Sequence, residues 1–79
     1  MPASNLQRSV KAWPNPVSEG RMITLEGVTA GSVIEVYNQS GMRVLSVIAA
    51  GGTENITLNL PKGLYLIRTV NGETKIIIE

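Results

Sequence analysis

The chain has 79 residues, a net charge of +1 and 43% hydrophobic residues, enough for one domain with one core and too apolar for disorder by composition. It contains no cysteine, no histidine and no aspartate, which excludes disulfides, thiol and imidazole chemistry and the usual zinc sites. The seven basic and six acidic residues are scattered, so nothing in the charge calls for nucleic acid or an anionic membrane as partner.

Residues 1–9 read as a polar lead-in, with no apolar h-region to make a signal peptide. An export address, if used, is expected upstream in a longer precursor. From Val10 onward, short alternating runs are punctuated by Gly, Pro and Asn, the pattern of strands and turns. The first strand spans Val10 to Trp13 and stops at Pro14-Asn15-Pro16, because each proline removes a ladder donor. Met22 to Glu26 is the second, with Ile23 and Leu25 on one face. Val33 to Asn38 is the third, with Ile34 and Val36 alternating against Glu35 and Tyr37. Gln39-Ser40-Gly41 makes a turn in which Gly41 suits the left-handed position.

The fourth strand runs from Met42 to Ile48, and Ala49 to Thr53 is a Gly-rich loop. Asn55 to Leu60 is the fifth, with Ile56, Leu58 and Leu60 on one face. Pro61-Lys62-Gly63 turns the chain into the sixth strand, Leu64 to Val70, where Tyr65 and Ile67 share the core parity. Asn71-Gly72 predicts a type I′ hairpin before the seventh strand, Glu73 to Ile78. Seven closely spaced strands predict an all-β antiparallel sandwich, with a partial barrel as the alternative packing. Residues 10–79 would form the domain, and no stretch keeps a helical period.

Titratable groups for catalysis are sparse. A Ser–Lys pair or two of the six glutamates are formal options that no spacing supports. Gly51-Gly52 reads as a flexible connection rather than an anion cradle, since no helix follows it. Only Trp13, Tyr37 and Tyr65 offer aromatic platforms, on three different strands, and Trp13 is expected to cap one end of the core. No enzyme activity, metal or cofactor is expected. The terminal Lys75-Ile76-Ile77-Ile78-Glu79 stands out, because three successive isoleucines cannot all face one core. At least one must face outward, as part of a docking patch or strand edge open to a partner or to a second copy.

Four motifs occur in order: Trp13-Pro14-Asn15-Pro16; Val36-Tyr37-Asn38 followed by Gly41; Leu60-Pro61-Lys62-Gly63-Leu64-Tyr65; and the terminal Lys75-Ile76-Ile77-Ile78. Together they resemble the type A C-terminal sorting domain of type IX secretion cargo proteins in Bacteroidetes-group bacteria. Trp13 replaces the family's usual Tyr, and Glu79 closes the chain where Lys or Arg is frequent. The resemblance implies a seven-stranded, immunoglobulin-like sandwich that acts as a secretion signal for a larger cargo in cis. It implies recognition by an outer-membrane translocon and removal by a surface sortase, with cleavage within Ser4 to Ser9. The destination would be the cell surface or the medium, by way of the periplasm. Lys75 to Glu79 are the expected recognition residues, and Pro14, Asn15, Pro16, Gly41, Gly63 and Tyr65 the structural ones. Competing readings are an immunoglobulin-like spacer or adhesion module and, more remotely, a carbohydrate-binding module.

Overall fold

The computed structural model describes residues 10–79, so the expected lead-in, 1–9, lies outside the described residues. Seven strands follow one another: β1 (Lys11–Trp13), β2 (Met22–Glu26), β3 (Val33–Tyr37), β4 (Arg43–Ile48), β5 (Thr53–Thr57), β6 (Gly63–Thr69) and β7 (Gly72–Ile78). They form a three-stranded sheet, β1-β2-β5, and a four-stranded sheet, β4-β3-β6-β7, with antiparallel pairing between neighbouring strands. The chain crosses between sheets after β2, β4 and β5. This is the expected immunoglobulin-like sandwich, with β4 beside β3 rather than in the sheet of β2.

Period-2 alternation drives the packing. Ile23 and Leu25 of β2, Ile34 and Val36 of β3, Ile56 of β5, Tyr65 and Ile67 of β6, and Ile76 and Ile78 of β7 meet in one core. Val10 and Val17 join it from beside β1, and Leu58 from beyond β5. The Tyr65 hydroxyl donates to the Pro61 carbonyl at 2.7 Å. This tyrosine corner pins the connection that carries the chain from β5 into the other sheet.

The structure corrects three local expectations. The fifth strand starts and ends earlier than its apolar alternation suggests. Thr53 and Glu54 pair with Glu26 and Leu25, while Leu58 bonds the turn before β2 through the Arg21 carbonyl and the Gly20 N–H. The β6–β7 hairpin turns at Val70-Asn71, because Thr69 pairs with Gly72. No non-glycine residue among those described has positive φ, so Asn71-Gly72 does not form a type I′ turn. The Thr69 hydroxyl instead accepts from the Asn71 N–H and donates to the Gly72 carbonyl, closing the turn by side chain. Finally, Trp13 is 45% exposed and lies away from the core, on the outer face opposite the parity of Ala12.

Candidate recognition surface

The terminal strand sorts its residues by parity. Ile76 and Ile78 are 0% and 1% exposed and belong to the core, whereas Ile77 is 47% exposed and Lys75 and Glu79 lie on the surface. Of the five expected recognition residues, only Lys75, Ile77 and Glu79 can therefore present side chains to a partner. Ile76 and Ile78 are structural, because the pleat turns them inward.

The second correction concerns the backbone edge of β7. One side pairs with β6 throughout. Along Lys75 to Glu79 the other side is bonded to the chain's own Pro-Asn-Pro segment and the residues after it. The Asn15 amide donates to the Lys75 carbonyl at 2.9 Å, and the Ile77 N–H donates to the Asn15 side-chain carbonyl at 3.0 Å. The Val17 N–H donates to the Ile77 carbonyl and the Glu79 N–H to the Val17 carbonyl, a parallel bridge between Val17 and Ile78. The Glu19 N–H donates to the Glu79 carbonyl. Strand addition is blocked in the folded chain from the Lys75 carbonyl to the Glu79 carbonyl, since these ladder groups are already paired.

The outer face of the four-stranded sheet carries no such closure. Register places Glu35 beside Ser46 and Arg68, Arg68 beside Glu73, Tyr37 beside Arg43 and Leu66, Leu66 beside Lys75, and Leu64 beside Ile77. The Glu35 carboxylate accepts from Arg43 at 3.1 Å and from the Tyr37 hydroxyl at 3.0 Å. The Arg43 hydrogen bond, then that of Tyr37, holds the Glu35 carboxyl below its ordinary pKa. Arg68 donates to Glu73 at 2.9 Å, which raises the guanidinium's already high pKa, and lies 5.3 Å from the Tyr37 ring centre. A shallow groove of about 480 Å³ borders this network, lined by Val33, Glu35, Arg43, Ser46, Arg68, Thr69 and Val70.

The face thus carries a charged centre with exposed apolar side chains at both ends. Leu64 and Ile77 lie at one end, and Val33, Ile48 and Val70 at the other. The second patch is absent from the sequence expectations. Its signal was available in the off-core parity of Val33 and Ile48, which pair directly across β3 and β4.

The remaining marked residues have structural settings. Gly41 takes φ +85° in the turn after β3, where the Asn38 side chain accepts from the Ser40 and Met42 N–H groups. Gly63 opens β6, and a Cβ placed there would lie 3.7 Å from the Tyr65 ring. Next to Gly51-Gly52, the loop's Ala50 N–H donates to the Glu54 carboxylate at 2.7 Å, so the chain supplies its own anion there. Among the described residues no group of His, Cys, Asp or Glu is placed to hold a metal.

Comparison with known proteins agrees with these observations. The family model described as the secretion system C-terminal sorting domain matches residues 11–79. Beta-agarase A of Zobellia galactanivorans is 31% identical over 68 residues, covering 85% of this chain and 13% of that protein. In fold, the chain resembles a solved structure of PorZ, a surface component of the type-IX secretion system of Porphyromonas gingivalis. The TM-score is 0.73 at 14% identity, over 90% of this chain and 11% of that one.

Proposed function

This chain belongs to the secretion system C-terminal sorting domain family, and from that premise we propose that it is the sorting signal of a larger cargo exported by type IX secretion. The family match over residues 11–79 carries the reading, since it spans all seven strands. The small share of the agarase covered by the same region fits a tail on a larger protein.

The signal on this reading is a folded surface rather than a pocket. An outer-membrane translocon component reads the outer face of the four-stranded sheet, with Lys75 and Ile77 at one end and the Arg43–Glu35–Arg68–Glu73 network at its centre. The cargo reaches the periplasm by an ordinary signal peptide, and a surface sortase cuts in Ser4 to Ser9, outside the described residues. The cargo is then released or held at the cell surface.

The test is a secretion assay. A passenger with an N-terminal signal peptide, fused ahead of residues 1–79, should reach the surface of a type IX-competent host. Lys75→Glu combined with Ile77→Asp should trap it in the periplasm with the domain still folded. Normal export of that folded variant would overturn the assignment of the face, and periplasmic retention of the unaltered fusion would overturn the sorting role.

A further inference from the structure

The Asn15 side chain has a geometry that its place in a loop does not require. In a parallel ladder, one residue donates its N–H to the carbonyl of residue j−1 and accepts from the N–H of j+1. The Asn15 carboxamide does this around Ile76, donating to the Lys75 carbonyl and accepting from the Ile77 N–H. The Val17 main chain takes the next step, around Ile78. A side-chain amide is needed at the first step because Pro14 and Pro16 leave the local backbone almost without donors.

We propose that the Asn15 carboxamide is a plug that imitates a strand and keeps a second copy of this chain from pairing with β7. The occupant it excludes follows from charge. Odd-numbered residues of β7 aim their ladder groups at this edge, as the bonds of Lys75 and Ile77 show. Two β7 strands paired antiparallel about Thr74 place Glu73 of each opposite Lys75 of the other, in hydrogen-bonded positions. Val17 seals the far end of the edge in either case, so the contact stays short and closes as a two-fold dimer. The plug rests on this hydrogen-bond geometry and the excluded strand on the Glu73 and Lys75 charges, both independent of what the secretion machinery touches.

The experiment compares the full chain with its Asn15→Ala and Asn15→Ser variants, first checked for folding by circular dichroism. Amide hydrogen exchange should show Ile77 losing protection by about tenfold or more, while Ile76 and Ile78, which face β6, keep theirs. Sedimentation should show a monomer for the parent chain and a monomer–dimer equilibrium for the variants. Adding Lys75→Glu should abolish the dimer, and Glu73→Lys with Lys75→Glu should restore it. Unchanged Ile77 exchange in a folded variant would overturn the plug. Loss of that protection without dimerisation, or a dimer indifferent to the Glu73 and Lys75 charges, would overturn the second copy as the excluded strand.

Discussion

At the scale of single residues, two side-chain contacts carry distinct burdens. The Tyr65 hydroxyl is largely buried and bonded to the Pro61 carbonyl, so Tyr65→Phe leaves that carbonyl without its partner. The expected loss is about 1 kcal/mol in urea unfolding. An unchanged midpoint would show that the corner contributes nothing to stability. Glu35 acts through charge instead. Its folded pKa is lowered by Arg43 and Tyr37, so the interaction stabilises fully above the unfolded carboxylate value, about 4.3. That contribution is lost as the pH falls through the lower folded value. The melting temperature gap between the parent and Arg43→Ala should therefore shrink between about pH 7 and about pH 3. A gap constant with pH would count against the pairing.

At the scale of elements, parity decides which parts of the terminal strand are structural. Ile76→Ala empties a fully buried site and should cost about 2–5 kcal/mol, while Ile77→Ala, on the outer face, should cost less than about 1 kcal/mol. Similar losses at both positions would contradict the observed facing of β7. Leu58 makes the same point where regular pairing has ended. It is fully buried beyond the last residue of β5, so Leu58→Ala should also cost about 2–5 kcal/mol in denaturant titration. Its alternation with Ile56 was legible in the sequence. The end of β5 was not, because it depends on where β2 stops offering partners. The β6–β7 turn failed as a sequence reading for a related reason. Asn-Gly favours a type I′ turn in isolation, but Thr69 reaches across the hairpin and closes a different one.

At the scale of the molecule, both sheets share a single core, so the domain should unfold as one unit. Calorimetric and van 't Hoff enthalpies should agree, and a clear excess of the calorimetric value would mean that the sheets unfold separately. The sequence by itself determined the strand count, the inward faces and the missing cysteine, histidine and aspartate. Each of these depends on composition or on a repeat of two residues, both local properties. The ordered motifs likewise pointed to the sorting-domain family before any fold was in view. Only the tertiary structure decided which stretch of the β7 edge is closed and which side chains of that strand face outward. The hydrogen bonds that close the β7 edge join Asn15 to Lys75 and Ile77 across about 60 positions of chain, and no local period encodes such a contact. The sandwich brings the Pro-Asn-Pro segment onto the terminal strand, and that meeting moves the candidate recognition surface from a backbone edge to the outer face of a sheet.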